Sequence, residues 1–153
     1  RTKILCEAKA FPSDQYALAS QLHFHGLDPK EHLIEVAPRE GEHHIRKEDF
    51  IAAIDTHGEE IAMMMIGGVN YYTGQVMDMK TLTAHAQAKG IIVGWDLAHG
   101  AGNIEIQLHD WNVDFAAWCH YKYINSGPGA TAGYFVHERH HNEQNIPRFE
   151  GWW

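Results

Sequence analysis

The chain has 153 residues, of which 44% are apolar, enough for one buried core and too few for two ordinary domains. Its 12 Lys and Arg residues against 20 Asp and Glu residues leave a formal net charge of −8, which argues against binding to a nucleic-acid backbone. The longest nearly apolar run, Ile61 to Val69, is far shorter than the roughly 20 residues of a membrane-spanning helix. Two cysteines far apart in sequence, Cys6 and Cys119, indicate neither a disulfide framework nor a zinc ribbon. We therefore expect a cytoplasmic protein without nucleic-acid or membrane partners and, because the chain begins at Arg1 without Met, a piece of a longer protein.

The first half of the chain alternates short apolar runs with helical patterns. In chain order we predict a strand over 3–6, a helix capped by Ser13 or Asp14 and ending at Gly26, a strand over 32–36, a helix over 47–57 and a strand over 61–66. A short side-chain oxygen can accept from the free N–H groups of the first turn, which is why Ser13 or Asp14 is expected to cap. The run from 61 to 66 has no polar alternation, which favours a strand covered by helices on both faces.

The second half continues the alternation. We predict a helix from an Asp78 cap to Lys89, a strand over 91–95 ending at Asp96, an irregular or short helical stretch over 104–112, and strands over 114–119 and 133–137. The tail over 137–144 is polar and is expected to lie on the surface. Together these elements predict an α/β fold, a mostly parallel sheet with helices on both faces.

Ligands in open α/β sheets bind at the carboxyl ends of the strands. This rule selects four segments: 11–14, 67–74, 96–99 and 121–122. An acid, Asp96, follows one strand and a lysine, Lys122, follows the next, which is the pair that pyridoxal phosphate chemistry requires: an amine for a Schiff base and an acid to keep the pyridine nitrogen protonated. An Asp after a strand is also often a helix cap, and a Lys there is often a solvated charge, so the spacing leaves both interpretations open.

Histidine and glycine provide two weaker signals. The chain has 13 histidines, but none lies in H-E-x-x-H, and His23 and His25 would point about 200° apart on a helix, so no metal site is predicted. His99 differs because it follows Asp96 by three residues and could bond that carboxylate or a ligand. The stretch over 126–133 lacks the P-loop and G-x-G-x-x-G patterns and predicts a tight turn, whose amides could also approach a phosphate.

Several motifs occur in one order along the chain: Phe11-Pro12-Ser13-Asp14, Tyr72-Thr73-Gly74-Gln75, Gly94-Trp95-Asp96-Leu97-Ala98-His99, Leu108-His109-Asp110-Trp111, Tyr121-Lys122-Tyr123 and Gly151-Trp152. On these motifs the chain resembles, from end to end, the kynureninase family, pyridoxal phosphate-dependent hydrolases of the aspartate-aminotransferase (type I) fold. Asp-Leu-Ala-His, Leu-His-Asp-Trp and Tyr-Lys-Tyr are specific to that family, whereas related desulfurases and aminotransferases share only the Asp and the Lys.

The resemblance implies a role for each matching residue. Lys122 would form the Schiff base with pyridoxal phosphate, and Asp96 would pair with the pyridinium nitrogen. The remaining cofactor contacts would be Phe11 stacked on the ring, Pro12, Ser13 and Asp14 on the same side, His99, and Tyr121 and Trp152 at the phosphate. Tyr121 is also placed to assist a proton transfer. Many relatives have Ser where this chain has Gly67, so one contact to the cofactor is lost or replaced by backbone or water.

The resemblance also implies a reaction and an assembly. The expected reaction is hydrolysis of L-kynurenine, and of 3-hydroxykynurenine, to anthranilate or 3-hydroxyanthranilate and L-alanine, in tryptophan degradation and NAD biosynthesis, by a homodimer. The family's chains are far longer, so residues 1–153 are expected to form one partial domain, the centre of the large cofactor-binding domain, inactive without the N-terminal segment and the C-terminal small domain. The alternatives are another type I pyridoxal phosphate enzyme, a cysteine desulfurase or aminotransferase, and a catalytically silent His-rich binding module.

Overall fold

The computed structural model describes residues 1–143 and 147. Within this part of the chain the elements are, in order, β1 (Lys3–Glu7), α1 (Pro12–Phe24), α2 (Pro29–His32), β2 (Leu33–Val36), α3 (Lys47–His57), β3 (Ile61–Gly67), α4 (Met79–Ala88), β4 (Ile92–Asp96), β5 (Phe115–Cys119) and β6 (Ala132–Val136), followed by a 3₁₀ turn, Glu138–His140. The stretch over 104–112 forms irregular turns, one of the two forms expected for it.

The strands form one six-stranded sheet in the order β2-β1-β3-β4-β5-β6. The pairs from β2 to β5 are all parallel, and only the last pair, β5 with β6, is antiparallel. Parallel neighbours need a crossover connection, which helices supply up to β4 and irregular turns supply between β4 and β5, whereas the antiparallel β5 and β6 are joined by a loop. The predicted mostly parallel α/β fold is confirmed.

Helices cover both faces of this sheet. On one face, α3 and α4 contribute Phe50, Ile54 and Leu82 to a core that contains Leu5, Met64, Val93 and Trp95. On the other face, Leu18 and Leu22 of α1 pack with Ile4 and Cys6, and with Met63 and Met65 of β3. Successive residues of a strand point to opposite faces, so β1 and β3 supply both cores, and this explains why their sequences show no polar alternation.

The helix starts differ from expectation at α1 only. Asp78 caps α4, since its side chain accepts from the Thr81 N–H at 3.1 Å. The expected cap of α1 by Ser13 or Asp14 is wrong: the N-cap is Phe11, without a side-chain hydrogen bond, and Pro12 begins the helix. Proline is favoured at that position because its fixed φ suits a helix and its missing N–H needs no partner there.

No helix in the described residues is long and apolar enough to cross a membrane.

The tail is less exposed than the expected surface segment over 137–144, whose last residue lies outside the described residues. His137 is buried, and its ring stacks on that of His109 with centroids 4.8 Å apart. His140 Nε2 lies 2.7 Å from Oδ1 of Asp114, a buried carboxylate that precedes β5. The polar tail therefore packs over the end of the sheet, because the buried carboxylate of Asp114 needs partners such as Arg139 and His140.

Candidate functional site

The carboxyl ends of the parallel strands surround a cavity of about 270 Å³. All four segments selected from the sequence contribute to its lining, through Phe11, Asp14, Gly67, Asp96, His99 and Lys122. Residues far apart in sequence meet here because parallel strands end at the same edge of a sheet.

Asp96 is placed by the pleat of β4. The indole N–H of the preceding residue, Trp95, donates to Oγ1 of Thr83 on α4 at 3.0 Å, so Trp95 faces α4 and Asp96 faces the other side of the sheet. Asp96 Oδ1 accepts from the Ala98 N–H at 2.7 Å, which fixes the carboxylate at the strand end. The His99 ring does not bond this carboxylate; it packs edge-on against Tyr123 at 6.1 Å and lines the cavity.

Lys122 reaches the same cavity from the loop after β5. Its Nζ lies 5.5 Å from the centroid of the Phe11 ring and 5.7 Å from that of Tyr121. Phe11 is held in turn by Tyr71, whose ring meets it edge-on at 5.2 Å. These distances are in the range of cation–π contact, so the two rings orient the ammonium group within the cavity.

Glu7 was missed by the sequence interpretation, which ended the first strand at Cys6. It is 3% exposed, lines the cavity, and accepts from the Gly67 N–H at 2.8 Å through Oε2. Burial raises the pKa of Glu7 to about 7, against the lowering effect of that hydrogen bond and with the charges of Asp14 and Asp96 adding to the rise. The signal was available, because Glu7 is the polar residue at the carboxyl end of a buried apolar run.

Asp14 shares this acidic environment. Burial, the charge of Asp96 and a side-chain hydrogen bond with Asp96 together raise its pKa to about 7, while Lys122 acts in the opposite direction. Burial also lowers the pKa of His99, as does the positive charge of Lys122, so its imidazole is neutral at neutral pH. Carboxylates this close disfavour one another's ionised form, so the site holds a carboxyl proton up to a higher pH than an exposed carboxylate would.

Because Gly67 has no side chain, the Glu7 carboxylate can lie close to its backbone. A Cβ atom built on Gly67 would lie 3.1 Å from Oε1 of Glu7, closer than ordinary contact. Where many relatives are expected to have a serine, the nearest group in this chain is therefore a carboxylate.

The remaining predicted residues divide into those that reach the cavity and those that do not. Ser13 and Tyr121 line it, whereas Pro12 only begins α1. Trp152 lies outside the described residues. The glycine-rich stretch over 126–133 forms the expected turn, with positive φ at residues 127 and 129, and its end, Gly133, lines the cavity.

The predicted motif over 108–111 lies away from the cavity. Its His109 bonds Glu138 of the tail at 3.2 Å and stacks on His137. Among the described residues, no cluster of three or more His, Cys, Asp or Glu side chains could hold a metal ion.

The comparisons with known proteins agree with this fold. Residues 28–146 match the family "Aminotransferase class-V", and the chain belongs to that family. Enzymes of the family depend on pyridoxal phosphate, in agreement with the cofactor expected from the motifs. A solved structure, an alanine–glyoxylate aminotransferase from Nostoc sp., superposes with a TM-score of 0.68 at 20% identity over 90% of this chain and 34% of its own, which shows the fold.

Two curated relatives are much closer in sequence. The kynureninase of Flavobacterium johnsoniae is 65% identical over the whole chain, which covers 36% of that protein. The kynureninase of Nematostella vectensis is 63% identical over the whole chain, which covers 33% of that protein. The resemblance to kynureninase found in the motifs is confirmed, and the chain spans about a third of the length of these relatives.

Proposed function

We propose that this chain forms the cofactor-binding centre of a pyridoxal phosphate-dependent hydrolase that converts L-kynurenine, and 3-hydroxykynurenine, to anthranilate or 3-hydroxyanthranilate and L-alanine. The observation that carries the proposal is the meeting of Lys122, Asp96 and Phe11 in one cavity, with Lys122 Nζ 5.5 Å from the Phe11 ring centroid. The 65% identity to a kynureninase supports this substrate over those of desulfurases and aminotransferases.

The chemistry of the lining residues fits pyridoxal phosphate. The cavity of about 270 Å³ presents an amine for the aldehyde, a carboxylate for the ring nitrogen and an aromatic ring for the flat face. When bound, the cofactor supplies an electron-withdrawing ring that stabilises negative charge on a substrate amino acid. Lys122, Asp96 and Phe11 are the residues that would hold it.

Each of these side chains has a task that follows from its surroundings. The Lys122 amine would bond the aldehyde and, when free, take a proton from the substrate α carbon and return it. Asp96, fixed by the Ala98 N–H, would keep a proton on the ring nitrogen through a charge-assisted hydrogen bond. Phe11 would pack on the ring and exclude water, and His99, neutral near pH 7, would act as a polar contact.

The cofactor phosphate needs a partner other than Lys122. Among the described lining residues Lys122 is the only Lys or Arg, and its amine is assigned to the aldehyde. We assign the phosphate to Tyr121, which is half-exposed at the cavity, and to Trp152. Tyr121 would also assist a proton transfer, since its ring lies 5.7 Å from Lys122 Nζ.

A homodimer in the cytoplasm is the assembly we propose. Tyr71 and Tyr121 line the cavity yet are exposed, and Tyr72 beside them is 86% exposed. Such an aromatic surface is typical of a protein interface.

Cys6 and Cys119 are both free thiols, which favours a reducing compartment. Residues 1–153 would be one partial domain, supported by two cores built on a single sheet.

The test uses the full-length protein that contains this chain. After incubation with pyridoxal phosphate and reduction with borohydride, peptide mapping should place the adduct on Lys122. Lys122→Arg should abolish the adduct, and Lys80→Arg, an exposed lysine on α4, should leave it unchanged. An adduct on another lysine would contradict the assignment.

Activity separates the proposal from its alternatives. The full-length protein should release anthranilate and alanine in equal amounts from L-kynurenine, and the isolated 153-residue chain should release little or none, because catalysis needs groups positioned around the whole substrate. Release of sulfide from cysteine, or amino transfer to a keto acid, without anthranilate would assign a desulfurase or an aminotransferase instead. A protein that neither forms the adduct nor turns over substrate would be a binding module.

A further inference from the structure

Glu7 is a buried carboxyl group of the cavity that the proposed reaction leaves without a task. It ends β1, is 3% exposed, and accepts from the Gly67 N–H at 2.8 Å. Gly67 ends β3 and pairs in register with Asp96, and the next amide, Gly68 N–H, donates to the Asp96 carbonyl at 2.8 Å. The side chain of Glu7 is therefore linked to the backbone of Asp96 through Gly67, the last residue of β3, and Gly68, the residue after it.

We propose that Glu7 is a positioning residue of the site, which clamps the end of β3 against Asp96 and, by binding or releasing a proton, sets the negative charge around the Asp96 carboxylate. This inference rests on the proposed role of Asp96 as the partner of the cofactor ring nitrogen. Glu7 itself would not touch the reacting atoms.

Glu7 can clamp the end of β3 because its carboxyl group accepts the hydrogen bond of the Gly67 N–H. A buried backbone N–H without an acceptor is costly, and the carboxyl group of Glu7 is the acceptor that this amide has. Oε1 of the same group lies 3.1 Å from the position of a Gly67 Cβ, so the carboxyl group also packs closely against the strand end. Loss of this contact frees the strand end next to Asp96.

The charge role follows from the neighbours of Glu7. The ionisable groups around Glu7 are the neighbouring Cys6 on β1, Asp14 on α1, Asp96 on β4, and His99 and Lys122 in the loops after β4 and β5. β3 contributes none, and Glu35 on β2 is exposed and pairs in register with Cys6 rather than with Glu7. Among the described lining residues, one lysine therefore faces three carboxyl groups, those of Glu7, Asp14 and Asp96. With the pKa of Glu7 raised to about 7 by burial, this group changes charge close to neutral pH, where a neighbouring negative charge favours a protonated ring nitrogen beside Asp96.

Two variants in the full-length protein separate the clamp from the charge. Glu7→Gln keeps a carbonyl oxygen for the Gly67 N–H and cannot ionise, whereas Glu7→Ala removes both functions. In titrations with pyridoxal phosphate followed by absorbance at pH 6, where Glu7 is mostly protonated, Glu7→Gln should bind close to wild type and Glu7→Ala about tenfold more weakly or worse. Wild-type binding by Glu7→Ala would overturn the clamp, and equally weak binding by both variants would show that the carboxyl group cannot be replaced by its amide.

The ionisation of Glu7 is tested first through the pH dependence of stability, without cofactor. Because the pKa of Glu7 is raised on folding, its contribution to stability is full below its unfolded value and is lost as pH rises through about 7. The urea midpoint of the wild type should therefore fall relative to Glu7→Gln between about pH 5 and about pH 8. Glu35→Gln, an exposed carboxylate on β2, is the matched control and should run parallel to the wild type. A constant difference between the wild type and Glu7→Gln across this range would overturn the charge role.

The absorbance of the bound cofactor provides a second test of the negative charge on Glu7. The pH midpoint of its absorbance change should be lower in Glu7→Gln than in the wild type, because removal of a nearby negative charge disfavours protonated forms. An unchanged midpoint would count against the proposal. Failure of the proposed function would be visible separately, as the absence of a Lys122 adduct in the wild type, whereas the urea series reports on Glu7 without any cofactor.

Discussion

The indole N–H of Trp95 donates a hydrogen bond to the hydroxyl of Thr83 at 3.0 Å, and both side chains are fully buried. This bond joins β4 to α4 one residue before Asp96. A tryptophan side chain can be buried only if its single polar atom finds a partner, and Thr83 is that partner. The orientation of Asp96 toward the cavity therefore depends on a contact on the opposite face of the sheet.

Thr83→Val should destabilise the protein. The substitution keeps the shape of the side chain but leaves the Trp95 N–H without an acceptor in the core, which costs about 1–3 kcal/mol. Urea unfolding measures the change in the free energy of unfolding. Thr56→Val, which removes an exposed threonine hydroxyl on α3, is the control and should change this free energy by less than about 0.5 kcal/mol. Equal effects of the two substitutions would show that the Trp95 bond contributes nothing.

Asp96→Asn should reduce turnover while cofactor binding persists. The amide oxygen can still accept from the Ala98 N–H, but an amide cannot hold a proton on the cofactor nitrogen, and acid–base assistance of this kind contributes on the order of 10²–10⁴-fold. Steady-state anthranilate release by the full-length protein measures the loss. Asp110→Asn, an exposed carboxylate beside His109, should retain activity. Near-normal turnover in Asp96→Asn would place the acid partner elsewhere.

Asp114 should support stability at neutral pH and lose that effect in acid. Burial acts to raise its pKa, but hydrogen bonds from the Arg139, Gln87 and His140 side chains and the Val93 N–H lower it below the ordinary value. A carboxylate with a lowered folded pKa stabilises above its unfolded pKa, near 4, and the contribution disappears as pH falls through the folded value. The stability curve should therefore decline on its acid side.

Asp114→Asn tests this. It should lower the free energy of unfolding at pH 7 by roughly 1–3 kcal/mol and flatten the decline in acid. Asp55→Asn breaks a half-exposed pair with His85 of 2.9 Å and should cost at most about 1 kcal/mol. Urea unfolding between about pH 3 and about pH 7 distinguishes them, and an unchanged acid decline in Asp114→Asn would contradict the assignment.

The two cysteines should differ sharply in reactivity. Cys6 is fully buried, and burial, with the charges of Glu35 and Glu7, raises its pKa to about 12, so almost none of the reactive thiolate is present. Cys119 is half-buried and lines the cavity. Iodoacetamide near pH 8 should label Cys119 first, as read by mass spectrometry of the peptides, and bound pyridoxal phosphate should slow that labelling. Cys119→Ser should remain unlabelled, and labelling of Cys6 at the rate of Cys119 would contradict its burial.

Secondary structure was predictable wherever the local signal was strong. The helix at 47–57 was placed at its observed bounds because its apolar residues repeat at helical spacing, and β3 and β4 were placed within a residue because glycines and polar residues bound each apolar run. The Ser13 or Asp14 cap failed because Pro12 already satisfies the helix start. The short helix α2 was missed since four residues are too few to show a period.

The candidate site was predictable in part. The strand-end rule and the motifs together selected Asp96, Lys122 and Phe11, which do meet in one cavity. The same reasoning overlooked Glu7 and Cys119. Their positions at the ends of apolar runs were visible in the sequence, but their location beside the cavity was not. The stack of the exposed His109 ring on the buried His137 was likewise invisible in sequence, since the two residues lie 28 positions apart.

The amino-acid sequence by itself determined the order of helices and strands, the α/β class and the residues that carry the resemblance, because periodicity, glycine spacing and motifs are properties of neighbouring residues. Only the tertiary structure decided the strand order β2-β1-β3-β4-β5-β6 and with it the neighbours of each strand end. The burial of Glu7, its bond to Gly67 and the raised pKa values of Glu7 and Asp14 all arise from that order. A pKa depends on desolvation and on charges that are close in space, and neither distance nor burial is encoded at a single position of the chain.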